Sequence, residues 1–441
     1  MEPDRRTLIA SAVALTALPT LAAAADGARA EGSFPKGFLW GAATAGHQVE
    51  GNNTNSDGWL LENVKPTLFR EPSLDAANSF ELWPTDLDLV RRLGLNTYRF
   101  SLEWARIEPE PGKFSLAMLD HYKAMIEGCR ARGLVPMVTF NHFTTPRWFA
   151  EMGAWTHEKS PELFARYCDR ATRHLGEKIG YATTLNEPNL SLLLAATQPE
   201  LITMATPMIH AMVAAAAKAS GSERFQSANL LTRETARISL PNMIAGHKAG
   251  RAAIKAIRPD LPVGVSLAMA DDQDGGSVAR RDEVRAEAYG AWLAAAKGDD
   301  FIGVQNYARY LWDTKGAKPP PPGARLDDRG QEVYAPSLAG AVRYAHQVSG
   351  CPVIVTEHGV SSKDDTLRAW LIPAALKELK AAMDDGVPVL GYIHWSLIDN
   401  YEWIFGYEPK FGLCAVDPTT FKRTPKPSAD VLGAIARRNR L

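Results

Sequence analysis

The sequence predicts an α/β fold, a single (β/α)8 TIM barrel with long loops after its strands. Three observations predict it. Eight short runs rich in β-branched or aromatic residues recur along the chain, at 38–44, 96–102, 135–143, 181–187, 262–267, 301–307, 353–357 and 389–397. Most are followed by segments whose apolar residues recur with helical spacing, clearest at 116–132, 161–179, 241–257 and 366–385. The runs are almost continuously apolar, as strands of a parallel sheet covered on both faces are. Eight such units in 441 residues point to a closed barrel, and a barrel tolerates insertions past about 400 residues within one domain.

Taken in order, residues 1–30 stand apart. Arg5 and Arg6 precede an Ala-rich apolar run from Leu8 to Ala25, and Ala23-Ala24-Ala25 and Ala28-Arg29-Ala30 are small-residue cleavage patterns. A charged start, a short apolar run and an A-x-A site describe a cleaved signal peptide. The paired arginines, followed by Thr7, Leu8 and Ile9, resemble the twin-arginine export motif, with Asp4 where that motif usually has Ser or Thr. The alternative is a membrane anchor, but the run is barely long enough to span a bilayer and Pro19 interrupts it. The expected division is therefore a signal peptide over 1–30 and one barrel domain over 31–441. The mature chain is expected to be soluble, periplasmic or secreted, outside the cytoplasm of a bacterium.

The fourth run ends in Thr183-Thr184-Leu185-Asn186-Glu187-Pro188, and the seventh in Val353-Ile354-Val355-Thr356-Glu357-His358-Gly359. Between the fourth and fifth runs, residues 190–240 form an insertion rich in Ala and Met that reads as partly helical. After the sixth run, residues 308–340 contain Pro319-Pro320-Pro321-Pro322 with several Gly and Asp and read as a long loop. Loops that follow strands line the active-site face of a barrel. Both segments are candidates for shaping a substrate site, the alternative being surface decoration. No internal repeat and no domain linker is evident.

Composition excludes several classes. Lys and Arg number 49 against 50 Asp and Glu, for a net charge of −1, so nothing electrostatic favours a nucleic-acid partner. Cys129, Cys168, Cys351 and Cys414 form no CxxC pair and read as buried small hydrophobes, with three full pairings open if oxidised. No HExxH or Cys/His spacing suggests a metal, and no cofactor is expected.

Charged residues are poor fillers for buried parallel strands. Either Glu187 or Glu357 alone reads as a structural ion-pair partner. Together, at strand ends on the catalytic face of a barrel, they supply what glycoside hydrolysis requires. One carboxyl stays protonated and donates to the leaving oxygen, and the other attacks the anomeric carbon or activates water. Asn186 before Glu187 adds an amide that can bond a sugar hydroxyl.

At this point the chain resembles glycoside hydrolase family 1, the retaining β-glucosidases and β-galactosidases. The likeness begins at Phe34-Pro35-Lys36-Gly37-Phe38-Leu39-Trp40-Gly41-Ala42-Ala43-Thr44-Ala45 and continues through Gln48, Glu50 and Gly51. It recurs at Tyr98-Arg99-Phe100-Ser101, Asn186-Glu187-Pro188 and Thr356-Glu357. It is strongest at Trp395-Ser396-Leu397-Ile398-Asp399-Asn400-Tyr401-Glu402-Trp403, followed by Gly406-Tyr407, Phe411-Gly412-Leu413 and Lys422-Arg423-Thr424-Pro425-Lys426. It spans residues 34–430.

The resemblance implies a retaining, exo-acting β-glycosidase, most simply a β-glucosidase. Glu187 would be the general acid/base and Glu357 the nucleophile, with Arg99 and Tyr307 contacting the nucleophile. Gln48, His142, Asn186, Glu402 and Trp403 would bond the sugar hydroxyls, and Trp395 would lie under the ring. Alone, His142 reads as a core histidine and Trp395 as core packing. A nearby cation and a hydrogen bond should lower the Glu357 pKa, and the charge on Glu357 should raise that of Glu187. Retention implies carboxyl groups about 5–5.5 Å apart. Glu402 implies an unphosphorylated sugar, because family members acting on 6-phosphorylated sugars lack that Glu.

The chain departs from the family at His358, where Asn is usual, at Phe143, where Trp is usual, and at Gln305-Asn306, where Asn-Tyr is usual. Segments 190–240 and 308–340 match poorly. The expected partner is a small β-glycoside or oligosaccharide. Transglycosylation by the same residues stays open, as does another retaining barrel glycosidase such as an endo-glucanase, against which the Trp395–Trp403 motif argues. A non-catalytic sugar binder on this fold is disfavoured by the retention of both glutamates.

Overall fold

The computed structural model describes residues 32–441, so the signal-peptide expectation over 1–30 lies outside the described residues. All eight predicted runs are strands: β1 Leu39–Ala43, β2 Thr97–Ser101, β3 Val135–Asn141, β4 Tyr181–Asn186, β5 Val263–Ala268, β6 Phe301–Asn306, β7 Val353–His358 and β8 Val389–Trp395. They close into one barrel in chain order, and every neighbouring pair is parallel. The seam pairs β1 with β8 from Leu39↔Gly391 to Ala43↔Trp395.

Close packing of the strands rests on small residues. A Cβ on Gly264 of β5 would lie 2.2 Å from the Phe301 carbonyl oxygen. Leu39, Met137, Phe301, Ile354 and Ile393 come from five different strands and meet in one buried cluster inside the barrel. A larger apolar layer joins the strands to the surrounding helices. The ladder shifts register between Thr183 and Asn186 in β4 and between Val355 and Glu357 in β7. Such irregularities re-aim side chains, and here they sit beside the two strand-end glutamates.

The barrel helices follow the predicted periodicity. They include α1 Ser79–Arg92, α2 Leu116–Ala131 and α3 Ser160–Leu175. The Ala- and Met-rich insertion folds as α4 Leu190–Thr197 and α5 Pro199–Ser220, followed by α6 Arg233–Ile257. The sequence places the start of α6 at 241, because Pro lacks an N–H and usually opens a helix. The helix instead begins at Arg233, directly after Thr232, whose hydroxyl caps the Thr235 N–H, and runs through Pro241. α5 is long and apolar enough to cross a membrane by length and composition, and little of it is buried.

Segment 308–340 is not one long loop. Arg309–Asp313 and Gly316–Ala317 are strands that join Asp271–Asp274 in a three-stranded sheet. The aromatic-rich run favours strand, but its partner is acidic and reads as loop, which hides the pairing. Trp312 Nε1 donates to Asp272 Oδ1 at 2.8 Å and fastens the two. Later helices include α7 Ser337–Ser349, α8 Asp365–Asp384 and α9 Pro427–Arg438. Beyond α9, the Asn439 side chain accepts from Trp40 Nε1 at 2.9 Å and donates to the Phe34 carbonyl, closing the barrel's lower rim. All four cysteines are buried and unpaired.

Candidate active site

A cavity of about 300 Å³ opens at the carboxyl ends of the strands. Its lining includes Gln48, His142, Glu187, Tyr307, Glu357, Trp395, Glu402 and Trp403. Arg99 and Asn186 lie just behind this wall, joined to it by hydrogen bonds. The structure therefore brings together every site residue expected from sequence.

Glu357, at the end of β7, is held by three donors. Arg99 Nη1 and Gln305 Nε2 donate to Oε1 at 2.6 and 2.9 Å, and the Tyr307 hydroxyl donates to Oε2 at 2.7 Å. The Arg99–Glu357 pair is buried, with side-chain exposures of 0% and 5%. Glu187 sits just past β4 with φ of 44°. A non-glycine residue in that region is strained, and such strain persists where surrounding structure enforces it. Among the described residues, no side chain donates a hydrogen bond to its carboxyl.

This asymmetry sets the proton order. Burial raises the Glu357 pKa above its ordinary value, and Arg99 and Tyr307 pull it back. The sequence implies a lowered value, but desolvation outweighs the cation and the hydrogen bond. Burial and the Glu357 charge push Glu187 well above the carboxylate range, with only Arg99 opposing. Glu357 therefore ionises first and Glu187 keeps its proton. Tyr307 stays a neutral donor because burial and the Glu357 charge raise its pKa.

A hydrogen-bond relay orients these groups across four strands. Arg99 Nη2 and Gln305 Nε2 both donate to Asn186 Oδ1, at 2.6 and 2.7 Å. Asn186 Nδ2 lies 3.1 Å from His142 Nε2. Burial and Arg99 hold His142 well below its ordinary pKa, hence neutral. Accepting at Nε2 leaves its proton on Nδ1, a buried atom without a partner. Gln48 donates from Nε2 to the Tyr401 carbonyl at 2.7 Å and to Asn400 Oδ1 at 3.0 Å, leaving Oε1 buried and unpartnered. A free donor and a free acceptor thus wait for hydroxyl groups. The Asn186 oxygen is already filled by two donors, so only its remaining N–H can serve a ligand.

Trp395 Nε1 donates to Glu402 Oε1 at 3.3 Å. Burial pushes Glu402 up to about 8, and the Trp395 bond and Arg329 oppose it. Trp403 stacks on His47, with ring centroids 5.5 Å apart and 4° between planes. Phe143 meets Trp403 edge-on at 5.2 Å. The His358 departure faces away from the cavity, with Nδ1 2.9 Å from the Tyr392 hydroxyl.

Gln305 is a site residue that the sequence marks only as a departure from the family. The signal lay in strand alternation, since Gln305 stands two residues from Tyr307 and shares its face. The wall formed by Leu190, Leu193, Leu194, Leu230 and Met269 also has no motif to announce it. No group of three or more His, Cys, Asp or Glu side chains among the described residues could hold a metal ion. The arrangement can protonate one oxygen and present one carboxylate to a ligand carbon.

The model for the family described as Glycosyl hydrolase family 1 matches residues 30–245 and 327–441. The match runs through 190–240, which the sequence reading sets apart, and omits 246–326, which includes most of 308–340. The chain is 29% identical to a β-glucosidase of Agrobacterium sp. over 91% of this chain and 95% of that protein. It is 26% identical to a β-galactosidase of Pyrococcus woesei over 89% and 94%. The solved β-glycosidase BGL167 is 46% identical, covers 92% of this chain and 98% of its own, and superposes with a TM-score of 0.86.

Proposed function

The chain belongs to glycosyl hydrolase family 1 and is a retaining β-glycosidase, and we propose that it removes terminal, unphosphorylated β-linked glucose in two displacements. Glu357 attacks the anomeric carbon while Glu187 gives its proton to the leaving oxygen, so the glycosidic bond breaks as an ester bond to Glu357 forms. Esterification removes the Glu357 charge that raises the Glu187 pKa. Glu187 then takes a proton from water, whose oxygen displaces Glu357 from the sugar and restores both carboxyls. Arg99, Gln305 and Tyr307 hold the attacking carboxylate. Gln48, His142, Asn186, Glu402 and Trp403 bond the sugar hydroxyls, and Trp395 supports the ring. A phosphate beside Glu402 would face a carboxyl, and the nearby cation, Arg329, is already paired with Asp327, which supports an unphosphorylated sugar. One observation carries this reading: across a single cavity, and among the described residues, Glu357 has three donors and Glu187 has none.

The test is nitrophenol release from aryl β-glucoside, β-galactoside, β-fucoside and β-xyloside, with Glu357→Gln beside the wild type. Release by the wild type, fastest on the glucoside, and none by the variant is expected. Equal release by both proteins would refute the role of Glu357. We further propose export through the signal over residues 1–30, which the paired arginines and cleavage patterns support. Cell fractionation with N-terminal sequencing of the product checks it.

A further inference from the structure

Sugar-binding groups make up only part of the cavity wall. On the Glu187 side the wall is Leu190, Leu193 and Leu194 of α4 with Leu230, Met269 and Ile404. α4 begins three residues after Glu187, so this wall lies where a leaving oxygen would receive its proton. Outside the catalytic and sugar-binding groups, the polar side chains that line the cavity with it are Gln198, Asn229, Tyr310, Arg329 and Gln331. A second space of about 430 Å³ continues outward, and Gln198, Tyr310, Arg329, Gln331 and Phe405 line both. Leu201, Leu311, Pro319 and Pro320 supply the rest of its apolar lining, and Arg309, Lys318 and Glu332 its charged lining. Of the residues lining the outer space, Leu201 is 51% and Phe405 50% exposed; beyond Leu201 on the same helix, Met204 is 71% and Met208 39% exposed. Leu201, Met204 and Met208 fall on one face of α5, at helical spacing.

Resting on the glycosidase reading above, we infer that the leaving-group half takes an apolar aglycone, an alkyl chain or fused ring system, rather than a second sugar. Near the scissile bond the aglycone packs against the α4 leucines. A longer tail leaves past Phe405 toward the exposed apolar face of α5. A second sugar would bring several hydroxyls against leucine and methionine side chains, and each one left unpaired opposes binding. A tail of methylenes loses nothing there and gains by leaving water.

The experiment is kcat/KM for n-alkyl β-glucosides from methyl to octyl, with cellobiose and nitrophenyl β-glucoside alongside. Alkanol acidity barely changes along this series, so leaving-group chemistry stays constant while apolar contact grows. Full burial of a methylene is worth roughly a fourfold gain and half burial roughly twofold. Octyl glucoside should exceed methyl glucoside by at least about 100-fold and should exceed cellobiose. In Leu194→Asn the slope of log kcat/KM against chain length should flatten. A flat wild-type series, or cellobiose at least as good as octyl glucoside, overturns the inference while nitrophenyl glucoside turnover leaves the glycosidase reading standing. No turnover of any substrate removes that reading and this inference with it.

Discussion

Replacing Tyr307 by Phe removes one hydroxyl and leaves the ring, which packs edge-on to Phe411 at 5.9 Å. The hydroxyl donates to Glu357 Oε2 at 2.7 Å, whereas Arg99 and Gln305 both donate to Oε1. The variant therefore leaves Oε2 without a protein donor. A hydrogen bond to a charged group is worth about 1.5–3 kcal/mol. At about 1.36 kcal/mol per pH unit, the Glu357 carboxyl should titrate about one to two pH units higher. The sign is fixed by the charged form: the bond favours the carboxylate, so its loss favours the acid. Attack needs the carboxylate, and the acid limb of kcat/KM reports the free enzyme. That limb should move up by about one to two pH units, while the basic limb, set by Glu187, stays. Nitrophenyl glucoside turnover across the pH range measures both limbs, and a thermal melt checks that the variant is folded. An acid limb that stays in place, or moves down, in a folded variant would refute the account of what holds Glu357.

The other predictions test different groups. Glu187→Gln should lower turnover of alkyl glucosides by about 10²–10⁴-fold yet spare the first step with dinitrophenyl leaving groups, seen as a phenol burst; equal loss on both would contradict the acid role. Glu402 titrates near pH 8 because burial disfavours its charge, so the wild-type KM for a glucoside should bend near that pH and the Glu402→Gln profile should not. Arg423→Met should strand Asp86, its partner at 2.8 Å in a pair with side-chain exposures of 3% and 1%. Breaking such a pair costs about 3–5 kcal/mol, read as a lower urea midpoint with kcat/KM per folded molecule kept. Burial already raises the Asp86 pKa and Arg423 opposes that rise. The variant's Asp86 should titrate higher still, so its deficit should shrink as pH falls and the carboxyl protonates.

The barrel strands are legible in the sequence because each must be apolar on both faces, and that leaves a continuous run with no competing interpretation. The helix starting at Arg233 is less legible, since Pro241 imitates a start signal that the Thr232 cap overrides. The strand Asp271–Asp274 is not legible at all. Its stability comes from pairing with Arg309–Asp313 and from the Trp312 bond to Asp272, both remote in sequence. Glu187 and Glu357 stand out because carboxylates at apolar strand ends demand a reason. Gln305 does not, because an amide there is unremarkable until it is seen to donate, beside Arg99, to both Asn186 and Glu357.

The same contrast divides the cavity into two halves with different physical origins. The sugar-binding half is built from strand ends and the loops immediately after them, and its donors and acceptors are fixed by bonds such as Arg99 to Asn186 and Gln48 to the Tyr401 carbonyl. Moving any one of them would leave a buried polar atom unpaired, which costs about 1–3 kcal/mol. The leaving-group half is built on α4, α5 and the sheet around Arg309–Asp313, elements outside the barrel. The leucine and methionine contacts in it are directionless, so an exchange of one large hydrophobe for another there costs little. The chemistry at Glu187 and Glu357 is consequently tied to the barrel itself, whereas the choice of aglycone can change without disturbing it.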